Sequence, residues 1–223
     1  MKLFLTSINI IILFFFVQNA NANSFLIKYN ISTSGIKLGQ VKWSLEINDN
    51  KYLSKIYLKN SGLFSPLYKF EGKYESSGIL EDNNYEAKNY KQFWKTKKKE
   101  KVVEMSFNNY LVNLSQKPEE EELARLDIYN LFKFFDPITS FINILNGKEE
   151  ARTIDGRRVY VMKKTKSENL KHISVEIKEY RNIWADHKRN DLDKIEFILG
   201  DEGILPDSIN IFFKDKVFKL KKY

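Results

Sequence analysis

Apolar and polar residues alternate along most of this chain, and turn residues interrupt the alternation about every ten positions, a spacing typical of short antiparallel strands. Phe25, Ile27 and Tyr29 alternate with Leu26, Lys28 and Asn30 before a turn at Ser34-Gly35, and Val41, Trp43, Leu45 and Ile47 line one face of the next strand. Asn48-Asp49-Asn50 marks a second turn, after which Tyr52, Ser54, Ile56 and Leu58 share a face opposite Tyr57 and Lys59. Ser61-Gly62 and Pro66 break the pattern; Tyr68, Phe70, Gly72 and Tyr74 then oppose Lys69, Glu71 and Lys73. Ser76-Ser77-Gly78 reads as the next break, followed by Tyr85 to Trp94, a lysine-rich tip over Lys95 to Lys101, and Val103, Met105 and Phe107 alternating with polar residues. Asn108-Asn109 is a hairpin turn into Leu111 to Ser115. One face apolar and one polar means a sheet with one face buried.

The alternation stops at Lys117. Pro118 with Glu119 to Glu122 reads as an acidic helix start or a connection, the carboxylates suiting the positive end of a helix. Ile128, Leu131, Phe132 and Phe135 then fall at helical spacing, a first helical piece that ends where Pro137 disfavours helical geometry at Asp136. Asp136 caps a second helix and Pro137 takes its first position. Ile138, Phe141, Ile142 and Leu145 form its apolar stripe and Asn146-Gly147 stops it. Burying those four side chains, at about 1.5 to 3 kcal/mol each, makes this helix a core element. Strand alternation resumes around the tight turn Asp155-Gly156, with Arg158, Tyr160 and Met162 opposite Arg157, Val159 and Val161. Ile173, Val175 and Ile177, then Ile195, Phe197 and Leu199, then Ile209, Ile211 and Phe213, then Val217, Phe218 and Leu220 supply the closing strands, with turns at Gly200 to Gly203 and Lys214-Asp215. The predicted fold is mainly β: an antiparallel meander curled into a barrel-like or half-open sheet, with a helical insertion at about 119–146.

The first 22 residues read as a signal peptide, with Lys2 as the charged region, Leu3 to Val17 as the apolar region and Ala20-Asn21-Ala22 as the cleavage site. A retained anchor is the alternative; against it stand Ser7 and Asn9, and a run shorter than the ~20 apolar residues that a spanning helix needs. Residues 23–223 then form one extracytoplasmic domain, expected in a periplasm or cell envelope. With no cysteine in 223 residues, such a domain has no disulfide and is held by packing alone. The net charge of +8 invites a nucleic-acid reading, but compartment opposes it, and no nucleic-acid partner is expected. Anionic headgroups and glycans of the envelope attract lysine through the same field, so peripheral contact with an anionic surface, above all through the Lys95 to Lys101 tip, is one expectation. Lysines that merely solvate strand faces are the other.

Several residues and segments carry a resemblance. The hairpin around Tyr29 to Gly39, the KPEEE segment leading to DPITSFINIL, the IDGRRVYVM hairpin and the late LPDSINI strand resemble the exported bacterial family called domain of unknown function 3108. The most specific positions are Asp136-Pro137, Ser140 and Asp155-Gly156-Arg157-Arg158 with Tyr160. The resemblance implies an extracytoplasmic, mostly β protein with a curled or barrel-like antiparallel sheet and no assigned reaction. Some members carry a cysteine pair that this chain lacks.

Catalytic machinery is poorly provisioned. His172 and His187 are the only histidines, no GxSxG elbow is present, and two isolated histidines without cysteine do not make a zinc site. No metal or cofactor is expected. Asp127, Asp136, Asp155 and Glu176 are the carboxylates to inspect for glycoside chemistry, although caps, a turn and an exposed strand position account for them. Arg157, Arg158 and Tyr160 are the candidate ligand-binding group, with Asp136 and Ser140 beside them. Successive arginines on a strand point to opposite faces, so one guanidinium turns inward and needs a carboxylate, a carbonyl or a ligand phosphate. An internal pair with Asp136 or Asp155 is the simpler partner. The 17 Phe, 12 Tyr and three Trp either fill the sheet interior or line a cavity for an amphipathic envelope molecule. The leading function is therefore a non-catalytic binding or accessory protein for an amphipathic envelope molecule, glycan or protein partner. A carboxylate enzyme acting on envelope polysaccharide is the alternative.

Overall fold

The computed structural model describes residues 22–61, 69–108, 111–165, 171–184, 191–201 and 204–223. The signal segment through Asn21, the Gly62 and Pro66 breaks, Asn109 and His187 lie outside them. The first half of the chain forms β1 (Ala22–Thr33), β2 (Ile36–Asn48), β3 (Lys51–Asn60), β4 (Phe70–Glu81), β5 (Asn84–Thr96), β6 (Glu100–Asn108) and β7 (Leu111–Lys117). The second half contributes β8 (Phe134–Phe135), the helix α1 (Pro137–Leu145), β9 (Glu150–Ile154), β10 (Arg158–Thr165), β11 (His172–Asn182), β12 (Leu192–Ile198), β13 (Ser208–Phe213) and β14 (Lys216–Lys222).

The strands of the described residues join one 14-stranded sheet in the order β7-β6-β5-β4-β3-β2-β1-β14-β13-β12-β11-β10-β9-β8. Each half is a meander of neighbours, as turn signals at short intervals require. The two halves meet where β1 pairs antiparallel with β14, Ile31 opposite Leu220. The sheet curls until its two wings almost touch, and its inward face carries the alternating apolar residues: Trp43 lies opposite Ile27 on one side and Ile56 on the other. The hairpin turns fall where Asp, Asn, Ser and Gly tolerate left-handed backbone, as at Ser34-Gly35 (φ 47° and 78°) and Asp82-Asn83 (φ 47° and 65°).

At the seam between the wings, the turn that joins β9 to β10 reaches β6 and β7. Gly156, at φ 84°, packs so closely that a Cβ there would stand 2.3 Å from Val103 Cγ1 and 3.5 Å from Leu114 Cδ1. Glu120 spans the same seam, accepting from Lys101 Nζ at 2.8 Å and lying 3.6 Å from the Arg157 guanidinium. Arg125 donates its backbone N–H to the Ile183 carbonyl at 2.9 Å, so the segment after β7 is tied to the end of β11.

Three local readings of the sequence change. The Ser76-Ser77-Gly78 break is the interior of β4, which runs on to Glu81 and turns at Asp82-Asn83. Ser76 faces a polar patch inside the sheet, and Gly78 sits against β5 so tightly that a Cβ would be 1.8 Å from the Glu86 carbonyl oxygen, a close backbone approach rather than a turn. The acidic stretch after Pro118 is not α-helical, and of the helical piece expected over Ile128 to Phe135 only a 3-10 turn at Ile128–Asn130 forms. Lys133 turns to φ 59°, Phe132 is exposed, and Phe134 and Phe135 are drawn into parallel pairing with Arg152 and Thr153 of β9. A free strand edge outweighs four apolar residues at helical spacing. The α-helix of the expected insertion is therefore α1 alone.

The seam makes a prediction. Gly156→Ala adds both left-handed strain and a clash with Val103, and is expected to destabilise the protein by about 1–3 kcal/mol. In a double-mutant cycle with Val103→Ala, followed by denaturant unfolding, the two changes should be less than additive by more than about 0.5 kcal/mol. Simple additivity would mean that the wings do not meet at this pair.

Candidate functional site

α1 lies inside the curled sheet, and this explains why its polar residues are buried with its apolar ones. Asp136 caps it: one carboxylate oxygen accepts from the backbone N–H of Ile138 at 2.9 Å and of Thr139 at 3.1 Å. The other accepts from the Ser76 hydroxyl at 2.9 Å and from the Thr139 hydroxyl. Thr139 also meets the Tyr52 hydroxyl at 2.7 Å, and Thr153 of β9 donates to Ser140 at 2.8 Å. Asn143 bonds both the N–H (3.0 Å) and the C=O (2.8 Å) of Tyr85, standing in for the neighbouring strand that the start of β5 lacks. Asp136, Thr139, Ser140 and Asn143 are all essentially inaccessible to solvent. Burial in this setting pushes the Asp136 carboxyl above the usual carboxylate range, against the pull of its four donors.

Arg157, Arg158 and Tyr160 are distributed by the β9–β10 turn. Asp155 folds that turn by accepting from the backbone N–H of Arg157 at 3.0 Å and of Arg158 at 2.7 Å. The Arg158 guanidinium stands 3.5 Å from the Asp155 carboxylate, while its Nε is buried without a hydrogen-bond partner. Arg157 turns out toward Glu120, so the successive arginines do diverge. Burial raises the Asp155 carboxyl despite the nearby Arg158 charge. Tyr160 points into the sheet, 5% exposed, its ring 5.6 Å from that of Tyr180. Burial, and after it the Asp155 charge, holds the Tyr160 phenol well above its ordinary range.

The interior is not completely filled. A half-open cavity of about 390 Å³ lies against α1, with Trp43, Phe141 and Phe197 among its walls and Tyr74, Tyr90, Gln92, Asp155 and Tyr160 as its polar wall groups. A second lobe of about 410 Å³ continues past Leu38, Phe70 and Phe218, and the two share Leu58, Ile211 and Leu220 as walls. Of the five residues expected from the sequence, Tyr160 alone lines this space. Asp136 and Ser140 sit behind the wall and hold the helix that forms it, and Arg158 touches it only through Asp155. Sequence reasoning missed Tyr74, Tyr90 and Gln92; the signal available was that each occupies an inward position of an alternating strand. Of the other carboxylates inspected, Asp127 is exposed and accepts from the Asn130 side chain, and Glu176 pairs with Lys178 at 2.5 Å on the outer face. Among the described residues no group of three His, Asp or Glu side chains comes together to hold a metal ion.

The Asp136 cap gives two expected outcomes. Asp136→Ala removes the cap and strands two buried hydroxyls, and should cost about 2–4 kcal/mol in denaturant unfolding. Asp136→Asn keeps the accepting oxygen but cannot titrate. Because the folded carboxyl titrates above its unfolded value, its contribution is fully present below the ordinary carboxylate range and is lost as pH rises through the folded value. The stability of the wild type relative to Asp136→Asn should therefore be greatest in acid and decline with rising pH. A difference that is flat, or that grows with pH, would refute the assignment.

Comparison with known proteins places this geometry. The crystal structure of a beta-barrel-like protein of domain of unknown function DUF1849 from Brucella abortus is similar, with a TM-score of 0.53 over 89% of this chain and 95% of that one. At 12% identity, that likeness shows a shared fold. No curated protein matches the chain. The model of one protein family matches residues 24–191, which takes in β1 to β11, the capped helix and the Asp155 turn. The chain belongs to that family, described as Protein of unknown function (DUF3108).

Proposed function

We propose that this is an exported cell-envelope protein that holds one amphipathic molecule in the interior of its curled sheet and performs no chemistry on it. The observation that carries the reading is the pair of adjoining lobes with shared walls at Leu58, Ile211 and Leu220. A sheet that only had to be stable would be filled by its own side chains to native density. Each lobe falls in the range of about 300–1,000 Å³ typical of small-molecule sites, and their walls are mostly aromatic and aliphatic. An acyl or similar chain occupying both lobes would bury its apolar surface at about 25 cal/mol per Å². In this reading Asp136 and Ser140 keep α1 in place as one wall, and Arg157 and Arg158 shape the turn that presents Asp155. Export rests on Lys2, the apolar run from Leu3 to Val17 and the small residues of Ala20-Asn21-Ala22.

Native mass spectrometry of the full-length gene product recovered from its own cells tests both halves of the reading. The expected spectrum shows a chain that begins at Asn23 and carries one small amphipathic adduct, which dissociates on activation. Leu58→Trp and Ile211→Trp, which fill the shared wall, should abolish the adduct while leaving the unfolding transition in place. A bare mass under gentle conditions would overturn the binding reading.

A further inference from the structure

Resting on that reading, we infer that the ligand's head group is uncharged and bears hydroxyl or carbonyl oxygens, recognised by Tyr74, Tyr90, Gln92, Tyr160 and Asp155 at one end of the cavity. The polar groups that line the first lobe are three phenols, one amide and one carboxyl. Neither the Tyr74 nor the Tyr160 hydroxyl has a hydrogen-bond partner among the described residues, although both rings line the cavity. Tyr90 donates to the Gln92 side-chain oxygen at 3.2 Å, which leaves the Gln92 NH₂ group free for a ligand. These groups border open volume rather than protein atoms, so a ligand in the cavity can reach and pair with them. Phenols and an amide both donate and accept, so hydroxyl and carbonyl oxygens are the groups they match.

Charge excludes the commoner alternative, an anionic head. The chain has 37 Lys and Arg residues, yet none lines either lobe among the described residues. Arg158 is paired with Asp155, and Asp155 rather than Arg158 faces the cavity. An incoming carboxylate or phosphate would meet a carboxyl first. Ionised, that carboxyl repels the anion; protonated, it offers one hydrogen bond and no counter-charge. A cationic head would need Asp155 ionised and free, whereas Arg158 already engages it and burial favours its neutral form. Specificity here arises as much from the charge kept out of the walls as from the groups left in.

A series of amphipaths with one shared dodecyl-length chain tests this: glycerol monolaurate, laurate and dodecyltrimethylammonium, each below its micelle concentration. The reporter is Trp43, a wall residue, isolated by Trp94→Phe and Trp184→Phe, with circular dichroism to verify the fold. Glycerol monolaurate should bind at least tenfold tighter than either charged probe. Tyr74→Phe and Tyr160→Phe, which keep the ring and lose the hydroxyl, should each weaken it roughly two- to tenfold and leave the charged probes unchanged. Tyr57→Phe, which removes an exposed phenol outside both lobes, should leave its affinity within about threefold. Tighter laurate, tighter dodecyltrimethylammonium or equal binding of all three would overturn the inference. So would no binding of any probe by a protein that carries an adduct in native mass spectrometry. No binding together with a bare native mass would instead remove the proposed function itself.

Discussion

The rest of the molecule depends on a buried carboxylate, Asp136, that ends a helix inside a sheet. A curled sheet of this size has an interior too wide for its own side chains, and α1 supplies the missing bulk. Inserting a helix also carries its unpaired N-terminal N–H groups into a region without water, where each would be costly. Asp136 answers two of them directly. Its second oxygen reaches Ser76 on β4 and, through Thr139, Tyr52 on β3. The position of the helix and the presence of Ser76 on an otherwise apolar strand face thus answer one requirement, that the inserted end be hydrogen-bonded.

How much of this was legible in the sequence follows from how local each cause is. The turns at Ser34-Gly35, Asn48-Asp49-Asn50 and Lys214-Asp215, the cap at Asp136 and the first-turn proline are decided within a few residues, and they appear as read. The stripe of Ile138, Phe141, Ile142 and Leu145 does so only in part, because α1 is also buried along Thr139, Ser140, Asn143 and Ile144 while Phe141 and Leu145 stay half-buried. Ser76-Ser77-Gly78 was misleading because its composition answers to Thr139, Asp136 and Glu86, which lie elsewhere in the chain. The stretch from Ile128 to Phe135 has helical spacing, but the open edge of β9 decided its conformation. The candidate site was only partly readable. An inward arginine paired with Asp136 or Asp155 could be expected without knowing which, and Arg158 stands beside Asp155. Tyr74 and Tyr160 could not be brought to one cavity from periodicity, since they sit on strands of opposite wings.

Asp136, which is inaccessible, and Asp155, which keeps about a fifth of its side chain exposed, show how one residue type takes two roles. Both cap backbone N–H groups with one oxygen, and burial raises both. At Asp136 the second oxygen is saturated by hydroxyls, and the residue is closed off as architecture. At Asp155 the second oxygen has a single loose partner and the side chain borders open volume. The difference lies in what packs next to them: a serine and a threonine in one case, phenols along a cavity in the other.

The junction of β1 with β14 has a consequence for how the molecule comes into being. Each of the strands β1 to β7 pairs with its neighbours in sequence and can zip up progressively as the polypeptide emerges, and β9 to β14 can do the same. Neither wing completes the sheet, because one flank of β1 has only β14 to pair with. Until that encounter, the flank of β1 that carries Tyr29 and Ile31 presents an unpaired ribbon of amides, the kind of surface on which chains associate with one another. The step that relieves it is also the most nonlocal contact in the fold, and such contacts are slow to form. Assembly therefore has a natural last move, and the time spent waiting for it is the interval in which this protein most needs to be kept from its own copies.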